Sequence, residues 1–181
     1  MSKEQLSSFP TFITERLILR KLNIDDAENL AIIRSNDLVN QFLNRPKKIT
    51  SEEAAGFIQM TNNRIQNNEL LYWAITMKSN DILIGTTCLF NFSAEKVMAE
   101  IGYELHPDFH GKGIMNEAIS KVINYGFKEM KLNKLVALTK PGNLNSVSLL
   151  EKNNFILDTF FDNVSKSDAS DYAVCFFKQP Y

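Results

Sequence analysis

The sequence lacks the features that mark disulfide-rich, membrane-spanning or nucleic-acid-binding chains. Its 181 residues include two cysteines, Cys88 and Cys175, whose spacing matches no disulfide framework or metal motif. Lys and Arg number 20 against 21 Asp and Glu, so the net charge of -1 gives no basic field for nucleic acid or an anionic membrane. No apolar run approaches a membrane span, and Met1–Pro10 lacks the apolar core of a signal peptide. These absences predict a cytoplasmic protein with reduced thiols, without a metal and with no membrane or direct nucleic-acid partner.

The composition is that of an ordinary globular chain. Hydrophobic residues make up 44% and charged residues 23% of the sequence, and its length suffices for one sizeable core. No internal repeat, low-complexity tract or linker interrupts it. We therefore expect a single domain over residues 1–181, with its core at about residues 14–178. A local cluster of positive charge, Arg45-Pro46-Lys47-Lys48, is typical of a solvated loop.

Hydrophobic periodicity predicts a mixed α/β fold in the order β, α, α, β, β, β, α, β, α, β, β. Hairpins precede a strand–helix–strand crossover, so the sheet should be mixed, with helices on both faces. The alternating patterns place strands at 13–20, 71–77, 82–90, 97–105, 135–139, 155–161 and 172–178. The helical patterns begin near Asp25 and Thr50 and also cover 111–128 and 146–152.

The most informative stretch runs from His110 to Met115, between a predicted strand and a long predicted helix. Gly111 and Gly113 leave backbone N–H groups unshielded, and the positive end of the helix points at them. This pattern predicts a site for a phosphate-bearing ligand. A Walker loop needs a longer glycine spacing followed by Lys-Ser/Thr, and a dinucleotide fingerprint needs a third glycine where Asn116 stands. A tight turn without a ligand is the alternative.

Several further segments share an order and spacing with a known family. They are Thr14-Glu15-Arg16-Leu17-Ile18-Leu19-Arg20, Ala99-Glu100-Ile101-Gly102-Tyr103-Glu104-Leu105, the turn with Glu117-Ala118, Asn143-Leu144-Asn145-Ser146, and Leu149-Leu150-Glu151-Lys152-Asn153-Asn154-Phe155. With these segments in this order, the chain resembles the GNAT superfamily of acetyl-CoA-dependent N-acyltransferases. Within that superfamily it resembles the branch of RimJ/RimL-type ribosomal-protein N-terminal acetyltransferases. The resemblance covers nearly the whole chain. It implies a central, mostly antiparallel mixed sheet that splays into a V.

The resemblance also implies a path for the co-substrate acetyl-CoA. Pantetheine would lie as a pseudo-strand in the V beside strand 97–105, and the turn would cradle the pyrophosphate through backbone N–H groups. Asn143 would bond the pantetheine arm or order water, and Asn145 and Ser148 would lie toward the adenosine diphosphate. His110 stands where the family usually has Gln or Arg. The residues implied to bind the coenzyme are Tyr103, Leu105, His106, His110, Gly111, Lys112, Gly113, Ile114, Met115, Asn143, Asn145 and Ser148.

Acetyl transfer to an amine needs a base for the ammonium proton and benefits from an acid near the departing thiolate. Glu100 and Glu104 share one face of the strand, with Gly102 between them, and each is a candidate base or an exposed structural carboxylate. Ser146 matches the serine that RimL-type enzymes place near the coenzyme sulfur, although it also suits a helix cap. The base of the RimL-type enzymes falls near Ser165, in a loop of uncertain alignment, which leaves the base open.

The acceptor amine is expected opposite the coenzyme, between the two N-terminal helices and the loop 162–171. A protein N-terminus and a small-molecule amine both remain open as acceptors. Candidate apolar walls are Phe42, Trp73, Phe90, Phe92 and Tyr103, and candidate anionic groups are Asp162, Asp168 and Asp171. Two other functions remain as alternatives: a non-catalytic acyl-CoA sensor or interaction module, and a domain for another phosphorylated ligand. A homodimer through the closing strands is also compatible with the sequence.

Overall fold

The computed structural model describes residues 9–140, 142–158 and 174–180. Its strands are β1 Phe12–Ile13, β2 Leu17–Lys21, β3 Leu71–Met77, β4 Leu83–Phe90, β5 Met98–Leu105, β6 Lys134–Thr139, β7 Ile156–Leu157 and β8 Val174–Lys178. Its helices are α1 Ala27–Arg34, α2 Asp37–Asn40, α3 Ser51–Gln66, α4 Ile114–Lys128 and α5 Leu144–Lys152, with short 3-10 turns at Ile24–Asp26 and Pro107–Phe109.

Within the described residues, these strands form one sheet in the order β1-β2-β3-β4-β5-β6-β8-β7. Neighbouring strands run antiparallel except β5 and β6, which are parallel and are connected through helix α4. The predicted mixed and mostly antiparallel sheet is therefore confirmed. The parallel pair is short, because its register ends where Glu100 meets Val136.

The two faces of the sheet carry separate hydrophobic cores. Alternation along β3 sends Leu71, Trp73 and Ile75 into the core that α4 covers, whereas Tyr72 and Ala74 face the core of α1 and α3. Helix α4 contributes an apolar stripe at helical spacing: Ile114, Met115, Ala118, Ile119, Val122 and Ile123. Helices on both faces were predicted, and the structure confirms them.

Several boundaries differ from the prediction, for local reasons. The predicted strand 13–20 divides into β1 and β2, because Thr14 and Arg16 turn toward helix α4. Helix α2 was not predicted. Helix α5 begins at Leu144 rather than Ser146, since the Asn143 side chain accepts the Ser146 N–H at 3.2 Å and is the cap. Residues 159–161 of the predicted strand 155–161 lie outside the described residues, as do residues 172–173 of the predicted strand 172–178.

The described part of the chain contains no helix with both the length and the apolar character needed to cross a bilayer. Cys88 and Cys175 are free thiols. Burial raises the pKa of Cys88 to about 12 and that of Cys175 to about 11. Both side chains therefore stay protonated at neutral pH, which makes them poor nucleophiles.

Candidate functional site

The sheet opens between β5 and β6 beyond Glu100, the last residue of β5 that pairs with β6. On its other side β5 continues to pair with β4 as far as Leu105. The Gly102 carbonyl and the His106 N–H both bond toward β4, so alternation turns the main chain of Tyr103 and Leu105 into the opening. An edge of this kind offers N–H and C=O groups to an extended ligand that carries amides.

His106 was also predicted to offer main-chain groups to that ligand, but the structure uses both of them. Its N–H donates to the Ile84 carbonyl at 2.8 Å, and its carbonyl accepts from the Phe109 N–H at 3.0 Å. The edge groups that face the opening therefore belong to Tyr103 and Leu105, and of these the Leu105 carbonyl is already bonded to His110 Nε2.

The glycine turn lies at the same end of β5 and leads into helix α4. Gly111 and Gly113 have φ values of 71° and 73°, in the left-handed region that favours glycine. Glu117 N–H bonds the Gly113 carbonyl, so the N–H groups of Ile114, Met115 and Asn116 precede the first intrahelical bond. The turn and the helix end together form a concave set of N–H donors suited to a phosphate group.

The turn also carries the side chains of His110 and Lys112, two of the residues implied to bind the coenzyme. His110 Nε2 donates to the Leu105 carbonyl at 2.9 Å, which ties the turn to the end of β5. Its ring nitrogen is therefore already engaged by the protein, and its observed contact is structural. Lys112 is exposed, and its Nζ lies 5.7 Å from the centre of the Phe109 ring.

Tyr103 and Ser146 meet across the opening. The Tyr103 hydroxyl and Ser146 Oγ are 2.8 Å apart, and Ser146 is buried at the start of α5. Burial raises the pKa of Tyr103 to about 12, although its hydrogen bond with Ser146 opposes the shift. The pair therefore keeps its hydroxyl protons at neutral pH and can pass one to a neighbouring anion. Sequence reasoning assigned the Tyr103 main chain to the coenzyme and its ring to an apolar wall, and it missed this side-chain contact.

Glu104 points into the core on the α1 and α3 side and is surrounded by cations. Its Oε1 accepts from Arg34 Nε at 3.2 Å, and its Oε2 accepts from Arg45 Nη1 at 2.6 Å. Burial acts to raise the pKa of Glu104, but the two guanidinium charges outweigh it and hold this pKa below the usual value. Such contacts fit an ionised anchor better than a general base, whose lone pair must remain free for the proton.

The same anchor corrects the interpretation of the basic loop. Arg45 was expected in a solvated cluster, yet its side chain is largely buried and also donates through Nε to Asn40 at 2.7 Å. Arg34 was not predicted at all. It stacks over the Phe57 ring at 3.7 Å, and its Nη2 donates to the Tyr72 hydroxyl. The opposite charges of Glu104 and the two arginines were the one signal for this contact, but no local sequence pattern pairs Arg34 or Arg45 with Glu104.

Glu100 differs from Glu104 in almost every respect. It is half-buried and lies at the apex of the opening, and its Oε2 accepts from Asn91 Nδ2 at 3.0 Å. Burial raises the pKa of Glu100, and the Asn91 hydrogen bond only partly opposes the shift. A carboxylate with a raised pKa beside a cleft suits proton transfer near neutral pH.

The remaining predicted residues divide between the opening and the core. The Phe42 ring lies 3.6 Å from the position that a Cβ on Gly142 would take, so the loop after α2 reaches the segment after β6. Trp73 is fully buried in the α4 core, with Nε1 donating to the Pro10 carbonyl, and is not an acceptor wall. Asn145 and Ser148 lie exposed on α5. Ser165 and the acidic loop residues Asp162, Asp168 and Asp171 lie outside the described part of the chain.

An open pair of parallel strands, followed by a glycine turn at a helix start, is an arrangement suited to an extended ligand with an anionic group. Residues 16–156 match the family model described as acetyltransferase (GNAT) domain. The chain therefore belongs to the GNAT acetyltransferase family, as its sequence motifs predicted.

Two relatives and one solved structure illustrate this membership. The chain is 37% identical over 146 residues to uncharacterized N-acetyltransferase p20 of Bacillus licheniformis, covering 80% of this chain and 82% of that protein. It is 27% identical over 132 residues to the ribosomal-protein-serine acetyltransferase of Escherichia coli, with 70% of each chain covered. The structure of the microcin C7 self-immunity acetyltransferase MccE, with acetyl-CoA and AMP, superposes with a TM-score of 0.78 at 21% identity, covering 92% and 94% of the chains.

Proposed function

We propose that the protein transfers an acetyl group from acetyl-CoA to a primary amine by direct attack in a ternary complex. The observation that carries the proposal is the opening beside Tyr103 and Leu105, at the end of β5 from which the chain continues into the glycine turn at α4. Pantetheine amides fit the Tyr103 main chain and the Leu105 N–H at the open edge of β5, and the pyrophosphate fits the N–H groups of the turn. One linear molecule would thus satisfy both features.

Glu100 is our candidate for the base. The amine nitrogen must lose a proton to attack the thioester carbon, and Glu100 would take that proton directly or through one water. Its position at the apex of the opening and its raised pKa support this role. Glu104 would instead hold α1 and the loop of Arg45 against β5.

Ser146 is our candidate for the acid. The carbon–sulfur bond breaks as the amide forms and the nitrogen releases its second proton to solvent. The departing thiolate would accept the Ser146 hydroxyl proton while Tyr103 supplies its own proton to Ser146. Their distance of 2.8 Å supports such a relay. Proton return from solvent would restore the Tyr103 hydroxyl.

The acceptor would enter on the α1 and α3 side, where the loop of Phe42 and Arg45 borders the opening. The ribosomal-protein-serine acetyltransferase among the relatives supports a protein acceptor, and a small-molecule amine is the alternative. We therefore propose a primary amine of either kind, because the fold accommodates many acceptors.

A panel of amines, including peptides with free N-termini, tests the proposal with detection of released thiol. Thiol should appear only when acetyl-CoA and a suitable amine are both present. Coenzyme A alone should raise the melting temperature, because it binds the folded state. Stabilisation without turnover of any amine would support a non-catalytic acyl-CoA sensor, and no stabilisation at millimolar coenzyme A would refute the coenzyme site.

A further inference from the structure

Glu117, in the first turn of α4, gathers hydrogen bonds from the segment before β2. Its Oε1 accepts the Thr14 hydroxyl at 2.5 Å and the Arg16 N–H at 2.9 Å. Its Oε2 accepts Arg16 Nε at 2.7 Å. These donors lie about 100 residues earlier in the chain, so the contacts fix the start of α4 to the N-terminal edge of the fold.

Arg16 also reaches into the glycine turn itself. Its Nη1 donates to the Lys112 carbonyl at 2.9 Å, and its Nη2 lies 3.6 Å from the position of a Cβ on Gly113. A trans peptide is planar, with its carbonyl and N–H directed oppositely. A hydrogen bond that holds the Lys112 carbonyl therefore also sets the direction of the Gly113 N–H, which points away from Arg16.

The glycines make such a restraint necessary. Glycine adopts left-handed and right-handed conformations with similar ease, so Gly111 and Gly113 by themselves leave the turn several conformations. Binding pays an entropic cost for every group that the ligand must order. A turn that is already held in its binding conformation avoids that cost.

We propose that Arg16, braced by Glu117 and Thr14, is a positioning residue for the coenzyme: it holds the Lys112 carbonyl so that the N–H groups of the turn face the pyrophosphate before the coenzyme binds. The inference rests on the proposed function, which assigns this turn to the pyrophosphate. Arginine suits the task because its planar guanidinium serves two acceptors in fixed directions, which a lysine ammonium cannot reproduce. The segment Thr14–Arg16 thereby acquires a role that its sequence alone did not suggest.

The test compares Arg16→Gln and Arg16→Lys with the wild-type protein. Affinity for coenzyme A is measured by calorimetry, and affinity for pantetheine, which lacks the pyrophosphate, by an NMR titration suited to weak binding. Both variants should bind coenzyme A about tenfold more weakly, equivalent to about 1.4 kcal/mol, and bind pantetheine as the wild type does. Arg20→Gln is the matched control, because Arg20 pairs with Asp26 and Asp81 rather than with the turn, and it should leave both affinities unchanged.

Three results would overturn the inference, and a second variant covers the case in which Arg16→Gln does not fold. Wild-type affinity in Arg16→Lys would show that positive charge alone matters. Equal losses for coenzyme A and pantetheine would show general damage to the fold, which melting curves of each variant also report. If Arg16→Gln does not fold, Thr14→Val, which removes one of the bonds to Glu117, must show a smaller loss selective for coenzyme A. Failure of the wild type to bind coenzyme A would refute the proposed function itself.

Discussion

Replacing Glu104 with Gln should cost the protein a large part of its stability. Glu104 is 8% exposed and neutralises two largely buried arginines, Arg34 and Arg45. Glutamine has a similar shape but carries no charge, so both guanidinium groups would lose their counter-charge. Breaking a buried ion pair in this way typically destabilises a protein by about 3 to 5 kcal/mol. For a chain of this length the melting temperature should fall by about 6 to 20 °C.

Thermal melting monitored by circular dichroism checks this expectation, with Glu100→Gln as the matched control. Glu100 lies on the same strand and the same face, but it is only half-buried and its hydrogen-bond partner is the neutral Asn91. Its replacement should therefore shift the melting temperature far less. Equal shifts for the two variants would refute the assignment of Glu104 as a charged anchor.

The same residue makes stability depend on pH in a defined direction. The pKa of Glu104 is lower in the folded protein than its usual value. Its contribution to stability is therefore complete above the unfolded pKa, which is about 4.3 for glutamate, and is lost as the pH falls through the folded pKa. Wild-type stability should decline more steeply than that of Glu104→Gln on acidification below this value. Parallel pH curves would contradict the linkage.

Three further expectations concern the coenzyme and the proton path. Gly113→Ala should weaken coenzyme A binding by roughly tenfold, because a left-handed alanine costs about 1 to 2 kcal/mol. Gly56→Ala, at an exposed position of α3, is the control and should leave the affinity unchanged. Equal coenzyme A affinities for the two variants would refute the need for the left-handed conformation at Gly113. Ser146→Ala should lower kcat by about 10²-fold or more in steady-state assays with little change in coenzyme affinity, and an unchanged kcat would remove it from the reaction. In the wild type, the acid limb of the pH profile of kcat/KM should lie above the usual pKa of glutamate, because burial raises the pKa of Glu100. Glu100→Gln should abolish this acid limb. If the acid limb persists in the variant, Glu100 is not the base.

The elements that the sequence predicted well are those whose signals are local. Helix α3 has its start marked by Thr50 and Glu53, which form the reciprocal capping pair seen in the structure. The position of the glycine turn is similarly local, since Gly111 and Gly113 permit the positive φ that the turn adopts. Asn154, at φ 59°, also holds the left-handed helix end that its residue type allows.

The residues that sequence reasoning missed act through contacts distant along the chain. Arg34 and Arg45 meet Glu104 from 70 and 59 residues away, and Arg16 meets Glu117 from 101 residues away. Their neighbours in sequence carry no sign of these pairings. A basic run such as Arg45-Pro46-Lys47-Lys48 is usually solvated, and only the placement of a buried carboxylate opposite Arg45 changes that interpretation.

This difference also explains why the donor half of the site is better defined than the acceptor half. The proposed donor half uses backbone groups, namely the edge of β5 and the N–H groups of the turn. Their positions follow from strand alternation and from two glycines that are close in sequence. The proposed acceptor half would use side chains from α1, the loop of Phe42 and β5, which come together only in the folded chain. Backbone geometry recurs wherever the same fold forms, whereas side chains on that scaffold can change without altering it. The acceptor must therefore be sought by varying the amine, with Glu104 and Arg45 intact so that the loop stays in place.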